Sequence, residues 1–414
     1  MRGLYTGLLL LLTPFILLRL WWRGRVLPAY RQRIGERFGA VAAAPGGVAV
    51  WVHAVSVGES LAALPLIRAL VDRHGEGQVW VSTTTPTGSE RVQAALGPRV
   101  RHSYAPYDLP GAVVRFLDRV RPRQVVVMET ELWPNLFHQL RRRDIPLWIA
   151  NARLSPRSYR GYQRLRGALA EALRGVRVLA QSEADAERFR ALGAVTVEAL
   201  GNLKFDVEVP AAQQAAGAAL RARLGAGFVW VAASTHEGEE ALALAAHQRL
   251  LAEQPQARLI LVPRHPQRFE AVAARIRASG LSSARRSQGE APDAAVVLLG
   301  DSMGEMFVYL AAADLAFVGG SLATAGGHNV LEPAALGRPV LFGPAMDNFL
   351  AARDLLLQAG AAEEVADGPA LSAALRRLAA DPARRAAMGA AGQAAVAANR
   401  GALRRLLERL ERPA

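Results

Sequence analysis

Glu59 stands where a carboxylate can do chemistry, just beyond the apolar run Val48–His53. Ser56 precedes it, and Gly58 allows a close turn of the backbone at this point. A glutamate within hydrogen-bond reach of a hydroxyl can act as a general base, so Glu59 is a candidate for that role. The first turn of a helix also favours an acidic residue through the helix dipole, which is the purely structural alternative.

Glu129 and Glu131 immediately follow a second apolar run, Gln124–Met128. Carboxylates at the mouth of a buried strand are costly without a task or a partner, although a simple turn is the alternative. Further along the chain, Arg153 and Arg157 belong to an arginine-rich patch. Arginine pairs with phosphate in a forked geometry, so the patch suits an anionic lipid, and a solvated helix face is the other interpretation.

In the second half, the stretch from Val318 to Asn348 predicts a strand, a glycine-rich loop, a helix and another strand. Gly326 and Gly327 give the loop conformational freedom, and Asn329 is predicted to begin the helix. A helix start suits a phosphate, while Glu332 is placed to accept hydrogen bonds from ribose hydroxyls. Glycine-rich turns are weak signals alone, and an ordinary strand–helix–strand connection is the competing interpretation.

Two more loops of the second half follow predicted strands. Arg264 and His265 emerge at the end of one strand, where a phosphate would lie. The other loop comprises Ser302, Met303, Gly304 and Glu305. Because the carboxyl ends of parallel strands share one edge of a sheet, we expect these loops and the glycine-rich stretch to converge.

Composition narrows the classes of function. The 414 residues carry a formal net charge of +14 and include no cysteine, which excludes disulfides, thiolate catalysis and cysteine metal sites. The positive charge favours anionic lipid or phosphorylated substrates, and no motif for nucleic acid accompanies it. Lys204 is the one lysine among 50 basic residues, which makes it a candidate for a position where a compact ammonium is required; a lysine retained by chance is the alternative. No cofactor or metal motif is present.

Apolar runs alternate with helical patterns in both halves, which predicts two doubly wound α/β domains. We place the first domain at 26–207 and the second at 208–414, with the last helix a candidate to pack on the first domain. The cleft between two such domains is the expected place for a two-substrate reaction. The predicted strands are Val48–His53, Val79–Ser82, Gln124–Met128, Leu147–Ala150, Arg177–Ala180, Phe228–Ala233, Arg258–Val262, Ala295–Leu299, Leu315–Val318 and Pro339–Phe342.

Residues 1–25 are predicted to attach the chain to a membrane. The segment from Leu4 to Trp22 is apolar, and about 20 such residues can cross a bilayer. Arg19, Arg23 and Arg25 cluster at its C-terminal end, which favours a body on the cytoplasmic side of an anionic membrane. A spanning helix, an interfacial anchor, a signal peptide and a buried core helix all remain open.

Motifs in order along the chain carry a family resemblance. They are WVHAVSVGES, METELWPN, NARLSPRSYR, GNLKFD, VPRHPQRF, GDSMGEM and GGSLATAGGHNVLEPAALGRPVLFGP. With them the chain resembles the 3-deoxy-D-manno-octulosonic acid (Kdo) transferases of Gram-negative bacteria. That resemblance implies a GT-B fold and metal-independent, inverting transfer of Kdo from CMP-Kdo to the 6′ hydroxyl of lipid IVA. It also implies a place at the cytoplasmic face of the inner membrane.

The resemblance also implies residue roles. Glu59 would be the general base, and Ser56, Gly58, Glu129, Glu131, Arg153 and Arg157 would shape the cleft or meet the acceptor. Lys204, Arg264 and the helix start at Asn329 would meet the donor phosphate, and Glu332 would hold the ribose. His265, Gly326, Gly327 and the loop Ser302–Glu305 would lie near the donor.

Other functions stay possible on the motifs alone. They are a UDP-sugar transferase acting on a lipid-linked peptidoglycan precursor, a nucleotide-sugar 2-epimerase, and a membrane-tethered nucleotide-binding scaffold. The number of Kdo residues added and the oligomeric state do not follow from the sequence.

Overall fold

The structure is a computed structural model that describes residues 2–323 and 325–411, except the side chain of Val57. It divides into two compact units. The first runs to Asp206 and resumes at Gly401, and the second spans Val207–Arg400. Each unit is a parallel sheet covered by helices on both faces, as the alternation of apolar runs and helical patterns predicts.

The first unit contains the sheet with strand order β3-β2-β1-β4-β5-β6-β7. Its strands are β1 (Val48–His53), β2 (Val79–Thr83), β3 (Arg101–Tyr104), β4 (Pro122–Met128), β5 (Leu147–Ala152), β6 (Val176–Ala180) and β7 (Thr196–Ala199). Its helices up to the boundary are α1 (Arg2–Arg23), α2 (Val57–His74), α3 (Pro86–Leu96), α4 (Pro110–Val120), α5 (Pro134–Arg142), α6 (Pro156–Gln163), α7 (Arg166–Ala172) and α8 (Glu183–Ala191). The order reverses between β1 and β4, which pair in parallel with His53 opposite Val127.

The second unit contains the sheet with strand order β10-β11-β9-β8-β12-β13-β14. Its strands are β8 (Val229–Thr235), β9 (Arg258–Pro263), β10 (Ser283–Arg285), β11 (Val297–Leu299), β12 (Leu315–Val318), β13 (Val340–Phe342) and β14 (Ala362–Glu364). Its helices are α9 (Ala211–Leu224), α10 (Glu239–Glu253), α11 (Phe269–Ala278), α12 (Met306–Ala312), α13 (Leu331–Ala335), α14 (Leu350–Gln358), α15 (Gly368–Ala380) and α16 (Pro382–Asn399). Here the order reverses between β8 and β12.

The last helix, α17 (Ala402–Glu411), belongs to the first unit, although a boundary at 208 counts it with the second domain. Ala402, Leu406 and Leu410 are buried in the apolar cluster that covers one face of the first sheet. Asp206 accepts hydrogen bonds from the backbone N–H groups of Gly401 and Leu403, so the chain returns beside the point where it left.

A parallel sheet binds ligands at the carboxyl ends of its strands, beside the point where strand order reverses. In the first unit that point lies between the loops after β1 and β4. In the second unit it lies between the loops after β8 and β12. Glu59 and Glu129 stand in the first pair of loops, and the glycine-rich stretch stands in the second.

Candidate active site

Glu59 lies in the first turn of α2 and is bonded into the start of that helix. Ser56 caps the helix by accepting the Glu59 N–H at 3.2 Å, and Glu59 Oε2 accepts the Val55 N–H at 2.8 Å. The carboxylate is half-buried, and this burial raises its pKa to about 7, against the opposing Val55 hydrogen bond. The negative charges of Glu129 and Glu131 raise the pKa further. Glu59 therefore serves as a cap and is also poised to take a proton near neutral pH.

Glu129 and Glu131 lie in the loop after β4, the strand that pairs with β1. Glu129 has a φ of 56°, a left-handed conformation that is uncommon for a residue other than glycine. Its N–H donates to the Ala150 carbonyl at 2.9 Å, so the strained residue is held by the neighbouring strand. Glu131 accepts the indole N–H of Trp133 at 2.8 Å, and burial raises its pKa. Backbone strain at a strand end is typical of functional sites.

Lys204 lies in the first unit, within electrostatic reach of Glu129 and Arg153. It is part of the short turn Leu203–Phe205, where its N–H donates to the Asn202 side chain at 3.0 Å. Burial lowers the pKa of Lys204, the Glu129 charge opposes that shift, and the Arg153 charge adds to it. The structure thus places Lys204 within electrostatic reach of Glu129, whose charge also acts on Glu59. Its role toward the donor phosphate stays a prediction.

Asn151 positions the Lys204 turn, and the sequence reasoning missed it. It has a φ of 53° and lies where the register between β5 and β6 shifts. Its side-chain oxygen accepts the Leu203 N–H at 3.0 Å. A bulge at a strand end re-aims the chain, and asparagine directly after an apolar strand is the signal that could have identified it.

The remaining first-unit residues differ in exposure. Ser56 is the cap described above, and Gly58 is exposed in the first turn of α2. Arg153 is exposed beside Lys204, and its carbonyl accepts the Thr130 hydroxyl. Arg157 is exposed on α6. The arginines are therefore accessible to an anionic partner, whereas the carboxylates are half-buried.

In the second unit, three histidines gather beside Arg264. His236 and His328 stack with ring centroids 5.0 Å apart and Nε2 atoms 2.8 Å apart. His265 meets His236 edge-on at 5.3 Å. Burial, with a smaller contribution from the Arg264 charge, lowers the pKa of His328 to about 3. His328 is therefore neutral at physiological pH, so Arg264 carries the fixed positive charge of this group.

The glycine-rich loop after β12 surrounds a carboxylate of the protein itself. Glu239, buried at the start of α10, accepts the N–H groups of Gly320, Ser321, Leu322 and Ala323 at 2.7–3.2 Å. It also accepts the His236 N–H at 2.8 Å. These amides are the kind that cradle a phosphate elsewhere, but here they are satisfied internally. Sequence reasoning did not assign Glu239 because its partners lie far along the chain.

Gly326 and Gly327 are required by the loop backbone. Both have positive φ values, 82° and 72°. A Cβ on Gly326 would meet the Asn348 amide at 2.6 Å, and one on Gly327 would meet the Met346 sulfur at 2.3 Å. Close packing against Met346 and Asn348 therefore accounts for both glycines.

Asn329 and Glu332 are bonded to each other at the start of α13. Asn329 donates to Glu332 Oε1 at 3.0 Å and accepts the Leu331 N–H at 3.0 Å. The helix begins at Leu331, two positions after the predicted start, and ends at Ala335. The dipole of so short a helix is small, so the side chains of Asn329 and Glu332 contribute more to any ligand binding here than the helix start does. Burial raises the pKa of Glu332, while Asn329 and the charge of Arg264 oppose the shift.

The loop before α12 is held by its own ion pair. Glu305 pairs with Arg286 at 2.7 and 3.1 Å and accepts the Ser302 hydroxyl at 2.5 Å. The Arg286 contact is the main reason that the pKa of Glu305 falls to about 2. Gly304 has a φ of 82°, and the neighbouring Met303 side chain is 55% exposed. Of these four residues, Met303 is thus the one whose side chain reaches outward.

Within residues 2–323 and 325–411, no group of three or more His, Asp or Glu side chains is arranged to hold a metal ion. Among the residues that the structure describes, one helix, α1, is long and apolar enough to cross a membrane by length and composition.

Comparison with known proteins identifies relatives over the whole chain. It is 41% identical to the 3-deoxy-D-manno-octulosonic acid transferase of Haemophilus influenzae, over 99% of this chain and 98% of that protein. It is 45% identical to the protein of the same name from Bordetella pertussis, over 99% of each. The family model described as 3-deoxy-D-manno-octulosonic-acid transferase matches residues 32–207.

Solved structures support the fold. Anabaena HepE in complex with UDP is 15% identical, covers 88% of this chain and 99% of its own, and has a TM-score of 0.56. The Neisseria meningitidis UDP-GlcNAc 2-epimerase has a TM-score of 0.55 at 14% identity, covering 88% of this chain and 99% of that one. The two parallel-sheet units are those of a GT-B fold, and the chain belongs to the 3-deoxy-D-manno-octulosonic acid transferase family of glycosyltransferases.

Proposed function

We propose that this protein transfers Kdo from CMP-Kdo to the 6′ hydroxyl of lipid IVA with inversion at the anomeric carbon. Glu59 takes the proton from the acceptor hydroxyl, and the oxygen attacks the anomeric carbon opposite the CMP group. The bond from that carbon to the phosphate oxygen breaks, and its electron pair leaves with CMP. This reaction needs one base and one site that stabilises the developing phosphate charge. The proposed mechanism therefore includes no metal ion and no cofactor.

The observation that carries this proposal is the environment of Glu59. A carboxylate with an ordinary pKa is a weak base, whereas one with a pKa of about 7 matches the task at neutral pH. Burial and the charges of Glu129 and Glu131 supply that shift. The names of the relatives from Haemophilus influenzae and Bordetella pertussis support the sugar that is transferred.

For the donor we assign residues of the second unit. Arg264 is the fixed cation near the histidine group, suited to the CMP phosphate or the Kdo carboxylate. Glu332 and Asn329 are assigned to the ribose. His265 and Met303 are assigned to the rest of the donor, with Ser302, Gly304, Glu305, Gly326 and Gly327 shaping the loops. From the first unit, Lys204 is assigned to the phosphate charge that develops as CMP leaves.

For the acceptor we assign the first unit. Arg153 and Arg157 are exposed arginines suited to the two phosphates of lipid IVA. Because the acceptor is a lipid, the enzyme must work at a membrane. We place it at the inner membrane, with both units on the cytoplasmic face, attached to the anionic surface through residues 1–25.

A transfer assay tests the substrates. Purified protein in detergent receives lipid IVA and CMP-Kdo, generated in place, with EDTA present, and products are read by mass spectrometry. The proposal predicts a mass gain of one or more Kdo units, which also counts the additions. A parallel reaction contains UDP-sugars in place of CMP-Kdo.

The matched control is Glu187→Gln, an exposed glutamate on α8. It should transfer Kdo like the unchanged protein. Product from a UDP-sugar together with none from CMP-Kdo would overturn the donor assignment. Dependence of the reaction on a divalent cation would overturn the metal-free step.

A further inference from the structure

Helix α1 has two lengthwise stripes on opposite sides. The stripe that faces the first unit is partly or fully buried and comprises Tyr5, Thr6, Leu9, Thr13, Ile16, Leu17 and Leu20. The other stripe is exposed and comprises Leu4, Leu8, Leu11, Phe15, Leu18 and Trp22. Both follow the three- and four-residue spacing of one helix face. The helix therefore has one partly covered side and presents a continuous apolar surface on the other.

The N-terminal end of α1 is hydrogen-bonded to the first unit. Asn135, which is fully buried, donates to Thr6 Oγ1 at 2.9 Å, and the Thr6 hydroxyl lies 3.1 Å from Asn135 Oδ1. Tyr5 donates to the carboxylate of Asp108. Asp108 in turn accepts the N–H groups of Asn135 and Leu136 at the start of α5. This end of the helix is thus tied to the element that follows Glu131.

The C-terminal end of α1 is tied to the same unit. Leu20 is buried, and the Trp21 carbonyl accepts two hydrogen bonds from Arg31 at 2.9 and 3.0 Å. The Arg31 and Arg25 guanidinium groups also lie over the Trp21 ring, at 4.8 and 4.5 Å from its centroid. The C-terminal end is therefore bonded to the segment that directly follows the helix, whereas the N-terminal end is bonded to α5.

That arrangement conflicts with a helix that crosses the bilayer. A helix of 22 residues is about 33 Å long, and the hydrocarbon core is about 30 Å thick. If α1 crossed, Tyr5 and Thr6 would lie on the far side of the membrane from Asp108 and Asn135. Their hydrogen bonds would break, and the buried Asn135 amide would lose the Thr6 partner.

We propose that α1 lies in the plane of the membrane, with its exposed stripe in the lipid of an anionic leaflet, and does not cross. An in-plane helix buries one apolar face at the boundary between headgroups and acyl chains. The charge suits such a leaflet because Arg2, Arg19, Arg23, Arg25, Arg31 and Arg33 precede Glu36, the first acidic residue of the chain. The Trp21–Trp22 pair fits the same boundary.

This proposal deepens the membrane attachment described above and is independent of the identity of the sugar substrates. The chain contains no cysteine, so introduced cysteines are the only reactive thiols. Thr6→Cys with Asn135→Cys, expressed in membranes, is treated with a short bifunctional maleimide. The in-plane helix predicts an intramolecular crosslink, seen as a gel mobility shift. Leu11→Cys with Asn135→Cys is the control and should show none, since Leu11 faces outward.

A second measurement guards against a folding defect in the double variant. Gly3→Cys meets no atom within 4 Å and leaves the contacts of the helix intact. A membrane-impermeant maleimide should label it from the same side of the membrane as Glu187→Cys on the body. Labelling of Gly3→Cys from the opposite side, or loss of the Thr6–Asn135 crosslink in membrane-bound active protein, would overturn the proposal.

Discussion

The Glu239 carboxylate accepts the Gly320 N–H at 2.7 Å across 81 positions of the chain. The neighbouring amides of Ser321, Leu322 and Ala323 converge on the same side chain. A glycine-rich loop after a strand would ordinarily be expected to aim its amides at an external phosphate. Here an internal anion fixes the loop, and the fixed loop positions His328 and the turn that leads to Asn329.

Glu239→Gln should destabilise the second unit and weaken donor binding. An amide carries one acceptor oxygen and brings an NH2 group against backbone donors, so the free energy of unfolding should fall by about 1–3 kcal/mol. The donor KM should rise more than the acceptor KM, because the displaced loop belongs to the second unit. Chemical denaturation and steady-state kinetics measure both. Glu237→Gln, an exposed neighbour, is the control, and equal behaviour of the two variants would contradict this role.

Arg286 should matter for the donor loop even though it lies outside the sequence-predicted site. Arg286→Ala and Glu305→Gln each break the same ion pair, so the double variant should be little worse than either single one. A double-mutant cycle on donor kcat/KM should give a coupling energy of at least about 0.5 kcal/mol. Strict additivity would mean that the two side chains act independently, which would contradict a role for the ion pair in donor binding.

Lys204→Met should lower kcat/KM for the donor roughly tenfold or more, because a charge-assisted hydrogen bond contributes about 1.5–3 kcal/mol. Lys204→Arg tests whether a compact ammonium is required, and we expect it to restore only part of the activity. Removing the Lys204 charge also removes its attraction to Glu129, so thermal unfolding of each variant checks that the fold is unchanged. Kinetics unchanged in Lys204→Met would mean that the lone lysine has no functional role.

The rate should depend on pH through Glu59. Its pKa is raised to about 7, so the carboxylate is protonated, and inactive as a base, below that pH. The value of kcat/KM should therefore fall about tenfold per pH unit on the acid side of 7 and level off above it. A rate that stays constant down to pH 5.5, with the substrates intact, would contradict the role of Glu59 as base.

Interior strands could be predicted from sequence, and edge strands could not. β1 and β12 are fully buried apolar runs, and their predicted bounds match the structure. The strands that were missed, β3, β7, β10 and β14, are all at sheet edges. Edge strands are half-exposed and mix polar with apolar residues, as in Thr196–Ala199, so they lack the signal of a buried strand.

The residues of the candidate site also divide into those that local sequence could predict and those that it could not. Glu59, Glu129 and Arg264 directly follow buried strands or open the next helix, so local pattern was enough to single them out. Glu239 and Asn151 act through partners far along the chain, and Asn135 binds a helix 129 positions earlier. Such contacts follow from tertiary packing, which no local spacing encodes. The ion pair of Arg286 with Glu305 is of the same kind.

The most direct test of the account is the turnover of Glu59→Gln with CMP-Kdo and lipid IVA. The variant keeps the size of the side chain and an oxygen to accept the Val55 N–H, so the fold should persist, as circular dichroism and thermal unfolding would check. Losing a general base costs about 100- to 10,000-fold, and we predict a fall in kcat in that range beside a normal Glu187→Gln control. Turnover within a few-fold of the unchanged protein would contradict the assignment of Glu59 as the catalytic base.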